Sequence, residues 1–335
     1  QGEPLPDQGR KPPEAEEPAE NRAVTEESPL ELDSLRIEVI RSGLPSDRLM
    51  EAARELPKLL RSALAEHHIR AGAVRLTIGS SPAATVQALN EGSVDIAILP
   101  AQGFASQETE AAVLLASGPG GEDAPIWSDC TVGFRTAVCI GSTDYGVNLA
   151  NRRGKEGELP SWAEMDRARW GLLEADSLPG RRAVDLWLAD NYEGRTTADL
   201  SRVTVYGDAA LLLQAAEAGE IDVFPLDSAA AEAGAVPRAP IPLGETPRLY
   251  DAVVAVSPHR EDLSAPELNL KDPLMFTLTQ LCWYDGTQTL PDGTPAFPGN
   301  GYDRETLALC RDIFGAYRYG WAESGDLAPA RRLAV

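Results

Sequence analysis

Three short stretches place hydroxyls, a glycine or a carboxylate where an apolar strand gives way to a helix. Ser80, Ser81, Pro82 and Ala83 follow the strand-like VRLTI. Ser177 and Gly180 open the helix RRAVDLWLADN, and Asp208 opens AALLLQAAEAGE. The chemistry these turns offer is non-covalent. The first backbone N–H groups of a helix lack intrahelical partners, and the helix dipole adds partial positive charge, so such a turn can hold an oxyanion. The same residues also read as ordinary caps: Ser81 and Ser177 by hydroxyl, Asp208 by carboxylate, with Pro82 suited to the first helical position. Asp208 repels an anion. Facing a cleft, it favours a ligand that is cationic, zwitterionic or donates hydrogen bonds, and Asp227 after VFPL raises the same expectation. Phe104 and Trp127 read either as apolar cleft walls or as core.

No catalytic signature accompanies these turns. Gly-x-Ser-x-Gly, a phosphate-binding Gly-Lys-Ser/Thr loop and His-Glu-x-x-His are all missing from the sequence. With 3 histidines and no Cys-x-x-Cys spacing, no metal site is expected. The reading is therefore a binding protein without a cofactor rather than an enzyme, with a ligand-sensing domain as the alternative.

The turns sit in a repeated unit. Residues 74–100 and 203–226 each read as apolar strand, small polar turn, Ala/Leu-rich helix, glycine stop and second apolar strand. Gln87, Gly92 and Asp95 match Gln214, Gly219 and Asp222, each pair 127 residues apart. A βαβ unit implies parallel strands and a right-handed crossover. Two copies imply two similar α/β lobes, with ligands outside the carboxyl ends of the strands.

The remaining elements follow from patterning. A first strand is expected at 35–41 and an amphipathic helix at 46–66, with Ser46 as N-cap and Pro57 as a kink. Strands are expected at 131–140, 169–175 and 251–256, a polar basic loop at 142–161, a short helix at 162–168, and helices near 272–283 and 303–318. The expected division is lobe 1 at 35–140 plus 251–335 and lobe 2 at 141–250, joined by two crossings that act as a hinge.

A net charge of −22 argues against nucleic acid, which needs clustered Lys and Arg. Residues 1–34, rich in Pro and Glu, read as a disordered acidic tether reaching ~30 Å. No run of 18 apolar residues would span a membrane, and position 1 reads as a mature or trimmed start. For the 4 cysteines two readings stand: a disulfide between Cys282 and Cys310 on neighbouring helices, or buried free thiols throughout.

This order of parts resembles the extracytoplasmic solute-binding proteins of ABC importers with type II topology, and within them the phosphate, phosphite and phosphonate-binding family. GSSPAATVQALNEGSVDIAILP fits that family's first turn, helix and Gly-x-Val-Asp-Ile-Ala strand. Phe134-Arg135-Thr136 stands where the family has a Tyr-x-Ser crossing strand. Its Ser-Thr-Ser-Gly anion loop falls on Ser177-Leu178-Pro179-Gly180, and a later Gly-Ser-His-Asp-Ala-Ala turn on Gly207-Asp208-Ala209-Ala210. The resemblance implies a two-lobed periplasmic-binding-protein-like α/β fold. It adds Thr136 and Gly207 to the ligand turns, and it implies a phosphonate-like or other oxyanion-bearing small-molecule ligand passed to an ABC permease. It also implies a monomer outside the cytoplasm, tethered at the membrane as a lipoprotein or periplasmic. The chain departs from the family at Pro82, Leu178 and Pro179, and it lacks the histidine.

Overall fold

The computed structural model describes residues 24–41, 43–118, 132–156, 158–227, 241–265, 268–284, 287, 289, 292–295, 301–315 and 318–333. Two mixed sheets organise the chain. In chain order the first is built from β1 (Leu30–Val39), β2 (Ile69–Ile78), β3 (Ile96–Pro100), β4 (Ala112–Gly118), β10 (Ala252–Val256) and β11 (Arg318–Trp321). The second is built from β5 (Thr136–Ile140), β6 (Trp170–Leu172), β7 (Val203–Val205), β8 (Val223–Asp227) and β9 (Ile241–Glu245). Their spatial orders are β11-β4-β10-β3-β1-β2 and β7-β6-β8-β5-β9. In each sheet, a strand that has just crossed from the other lobe runs antiparallel between two strands of opposite direction. β10 does so between β3 and β4, and β5 does so between β8 and β9.

Sequence accounts for these elements locally. β1 buries Leu32, Leu35, Ile37 and Val39 and pairs with β2 from Leu30 onward. The tail expected through residue 34 therefore ends earlier, because Leu30 and Leu32 already extend the strand. Residues 1–23 lie outside the described residues. β3 and β10 are apolar on both faces, as strands covered on both sides must be. Helix α1 (Ser46–Glu66) turns Ala52, Leu56, Leu60, Ala63 and Leu64 onto the sheet. Its N-cap is Pro45 rather than Ser46, with no side-chain capping bond. One face of the first sheet carries α1, α9 (Lys271–Cys282) and α10 (Arg304–Phe314). The other carries α2 (Pro82–Asn90), α3 (Ala101–Ala105) and α11 (Ala328–Arg332). The second sheet is covered by α6 (Ala183–Asn191) on one side and α7 (Ala209–Glu217) on the other.

Three expectations change. β5 pairs with β8 and β9, so residues 136–140 belong to the second sheet and the first crossing comes before residue 136. The polar stretch expected as a loop contains α4 (Asp144–Glu156), which starts on an acidic first turn. Cys282 and Cys310 lie on the adjacent helices α9 and α10, yet both are free, buried thiols, as is Cys139. Burial pushes the Cys310 thiol up to about 12 and the Cys282 thiol well above its ordinary value. Cys130 lies outside the described residues.

The repeat is present in three dimensions, and its matched glycines and aspartates each have a job. Gly92 and Gly219 end α2 and α7 at φ +70° and +73°, the left-handed conformation that glycine adopts without steric cost. Asp95 is 1% exposed and accepts the Arg36 backbone N–H at 2.7 Å, while the Arg36 guanidinium grips both its oxygens at 2.6 and 3.1 Å. Asp222 is 3% exposed and accepts the Arg169 N–H at 2.7 Å and its guanidinium at 2.9 and 3.2 Å. Burial pushes both carboxyls up, but the arginine hydrogen bonds outweigh it and leave both below the ordinary aspartate value.

Candidate functional site

The crossings fix where the lobes face one another. β5 begins at the carboxyl end of β8, with Thr136 opposite Asp227. β10 begins at the carboxyl end of β3, with Ala252 opposite Pro100. Both crossings therefore join the carboxyl edge of one sheet to the carboxyl edge of the other. They run side by side: Phe134 and Leu249 exchange both backbone hydrogen bonds at 2.9 Å. Thr136 donates its N–H to the Thr246 hydroxyl at 2.9 Å, and Thr246 returns its N–H to the Thr136 carbonyl at 2.9 Å. The edges so joined are where open α/β sheets hold ligands.

The sequence-predicted turns all fall on these edges. On the first lobe, Ser80 to Ala83 follow β2; the Ser81 hydroxyl accepts the Ala84 N–H at 3.2 Å and Pro82 packs on Gly103. On the second, the Ser177 hydroxyl accepts the Gly180 N–H at 3.2 Å and caps a π-helical turn, Leu178–Arg182, that leads into α6. Gly180 is buried, and a methyl group there would collide with Leu173. Gly207 has open space around it, and Asp208 accepts the Leu211 N–H at 2.8 Å as the cap of α7. Ser81 and Asp208 are thus corresponding caps, again 127 residues apart in sequence. The Thr136 hydroxyl is buried and donates to the Pro179 carbonyl at 2.9 Å, tying the crossing to the second-lobe turn. Asp227 ends β8 beside it, partly exposed. Phe104 does not line the cleft: at 1% exposure it packs in the first lobe with Leu99, Val253 and Leu327. Trp127 lies outside the described residues.

Two carboxylates were not singled out from the sequence. Glu38, inside the apolar run of β1, reaches beneath the Ser80 turn. It accepts the Thr85 hydroxyl at 2.5 Å and the Thr77 hydroxyl at 3.2 Å. Gly79 leaves room for it, since a methyl there would lie 2.7 Å from a Glu38 oxygen. Asp251 opens β10 and lines a cavity of about 60 Å³ with Arg41, Ser117 and Pro100. Its backbone is fully engaged, the N–H to Ser117 and the carbonyl to Ala101. Its carboxyl meets no hydrogen-bond donor among the described residues. Burial, partly offset by the Arg41 charge, pushes that carboxyl up to about 6. A partly buried carboxyl without a donor is costly, and a cavity beside it is room for a partner to arrive. The available signal was a charged residue opening an otherwise apolar strand.

Chemically, the joined edges offer capped helix N-termini at Ser81 and Ser177 with Arg41 nearby, set against Glu38, Asp208, Asp227 and Asp251. That arrangement suits recognition of a small polar ligand with both an acceptor end and a donor end. Among the described residues no group of three or more His, Cys, Asp or Glu is placed to hold a metal ion, and no helix is long and apolar enough to cross a membrane.

No protein-family model and no curated protein matches this chain. Solved structures similar to it include XAC2383 from Xanthomonas citri bound to ATP, 14% identical, covering 90% of this chain and 96% of that one at a TM-score of 0.44. PhnD1 from Prochlorococcus marinus in complex with methylphosphonate is 13% identical, covering 90% and 97% at 0.38. The aliphatic sulphonate binding protein SsuA from Escherichia coli is 12% identical, covering 73% and 72% at 0.35. Five strands of the first sheet, β4-β10-β3-β1-β2, follow the same order as β9-β5-β8-β6-β7 of the second, and each sheet has its reversed strand supplied by a crossing from the other lobe. The chain therefore has the two-lobed α/β architecture of the type II solute-binding fold.

Proposed function

We propose that this chain captures a small solute between its lobes, outside the cytoplasm, and delivers it to an ABC permease without chemical change. The observation that supports the reading is the joining of both carboxyl edges by the crossings, since the capped turns and Asp251 all lie on those edges. The ligand carries an oxyanion, seated on the helix N-termini at Ser81 and Ser177–Gly180. It also carries an amino or other donor group, which meets Asp251 with Asp227 or Asp208. The family resemblance supports a phosphonate-like compound. The carboxylates on both lobes support a second reading, a small organic cation or zwitterion without phosphate.

A ligand that binds only the folded form raises the melting temperature by mass action. A thermal-shift screen with 2-aminoethylphosphonate, ethylphosphonate, inorganic phosphate, sulfonates, amino acids and sugars separates the readings. 2-Aminoethylphosphonate is expected to give the largest shift. Response to neutral sugars or amino acids alone overturns the oxyanion. Asp251→Asn is expected to weaken 2-aminoethylphosphonate about tenfold more than ethylphosphonate, since only the amino compound loses a charge-assisted hydrogen bond. Equal loss for both removes Asp251 from the ligand contacts.

A further inference from the structure

The two crossings are not the only link between the lobes. The chain end after α11 reaches over to the second lobe, where Leu333, 8% exposed, packs against Ala183 and Leu186 of α6 and against Phe134 and Leu249 of the crossings. The Leu333 carbonyl accepts two donors. One is the Gln102 amide from α3 at 2.9 Å, and the other is the guanidinium of Arg182, the last residue of the second-lobe turn. Arg182 also donates to the Gln102 side-chain oxygen at 2.6 Å. One residue earlier, Arg332 forms a two-pronged ion pair with Asp190 of α6, at 2.5 and 3.2 Å. Apolar burial, a shared carbonyl and a forked ion pair thus connect the C-terminal end of the first lobe to the second lobe, independently of the crossings.

We propose that this C-terminal segment is a strap that sets the angle between the lobes and competes with their opening. Two paired extended strands allow rotation about themselves. The strap removes that freedom, because separating α6 from α11 exposes Leu333 and strips Arg182 of the only acceptors the described residues give it. It is also wired to the ligand turn. Arg182 closes the same five-residue turn that Ser177 caps, so a ligand that moves the turn moves the strap. Arg182 is committed here to the neutral oxygens of Gln102 and Leu333, and it forms no ion pair among the described residues. The strap operates whichever solute the cleft holds.

The test uses the ligand-free full chain. Arg332→Asp sets two carboxylates face to face, Asp190→Arg sets two guanidinium groups face to face, and the double exchange restores the pair in reverse. Leu333→Glu removes the apolar contact. Small-angle scattering reads the radius of gyration, and hydrogen exchange reads the amides of α6 and of residues 246–251. Each single charge change is expected to enlarge the molecule and quicken exchange at those amides about tenfold, while the double exchange returns both toward wild type. Leu333→Glu is expected to do at least as much. If that variant loses its fold, the charge exchange decides alone. Wild-type size and exchange in Arg332→Asp, or a double variant no better than the singles, overturns the strap.

Discussion

Asp251 directly precedes β10, its backbone bonded and its carboxyl without a donor among the described residues, a combination that puts a pH signature on stability. Burial raises this carboxyl from the ordinary value near 3.8 to about 6. Below the ordinary value the group is protonated both folded and unfolded and costs nothing. As pH climbs toward 6 the unfolded chain ionises it freely while the fold resists, so stability falls across that window. Above it the penalty is constant, and a shift of this size corresponds to at most ~3 kcal/mol. Asp251→Asn carries no charge to desolvate. Urea unfolding at pH 7.5 is expected to find it more stable than wild type by ~1–3 kcal/mol, with the gap closing near pH 4. A gap that is equal at both pH values would mean that solvent reaches the carboxyl. The stabilisation predicted here and the loss of amino-ligand affinity predicted above belong together, as expected of a residue kept for binding at the expense of the fold.

At the scale of elements, the repeated Gly-x-Val/Ile-Asp stretch is a joint rather than a contact with ligand. Asp95 and Asp222 lie before β3 and β8, at the amino ends of the strands, away from the joined edges. Each takes a backbone N–H and a forked guanidinium from a neighbouring strand region. Asp95 also meets Arg260 at 2.9 Å, and Asp222 takes the Thr143 hydroxyl at 2.5 Å. Removing one partner of such a pair leaves an uncompensated charge. Asp95→Ala and Asp222→Ala are each expected to cost ~3 kcal/mol in denaturant unfolding, with ligand-turn geometry unaffected. A cost below ~1 kcal/mol at either site would mean that water replaces the aspartate there. These units were legible in the sequence because their determinants are local. Glycine needs a positive φ, Ser81 and Asp208 need only the next turn of helix, and apolar runs announce buried strands. Glu38 and Asp251 were not legible, because what makes them notable is long-range. Glu38 meets hydroxyls on β2 and α2, and Asp251 meets a cavity wall assembled from four separate segments. Phe104 stayed open between cleft and core for the same reason, since an aromatic near a strand end suits either until packing decides. β5 was assigned to the first lobe because its sequence states that it is a strand and not which sheet receives it.

For the whole molecule, the geometry of the crossings governs what the lobes can do, and two glycines let the crossings pass. A methyl at Gly118 would lie 2.6 Å from the Gly133 Cα, and a methyl at Gly133 would lie 2.5 Å from the Leu249 carbonyl oxygen. Gly133 also sits at φ +91°, where any side chain is strained. The backbone it would strike belongs to the Phe134–Leu249 pair that holds the crossings together. Gly194 provides the comparison: it has φ +79° and nothing within 4 Å, so alanine there meets conformational strain alone. Gly194→Ala is expected to lower stability by ~1 kcal/mol. Gly133→Ala adds the collision and is expected to lose ~2–4 kcal/mol, because backbone cannot rotate aside as a side chain can. The excess should also appear as faster hydrogen exchange at the Phe134 and Leu249 amides, with exchange in the interior of α1 unchanged relative to global stability. Equal losses at the two glycines would mean that the crossings part without resistance. In that case the two-stranded hinge would be loose enough that the C-terminal contacts alone hold the lobes at their angle.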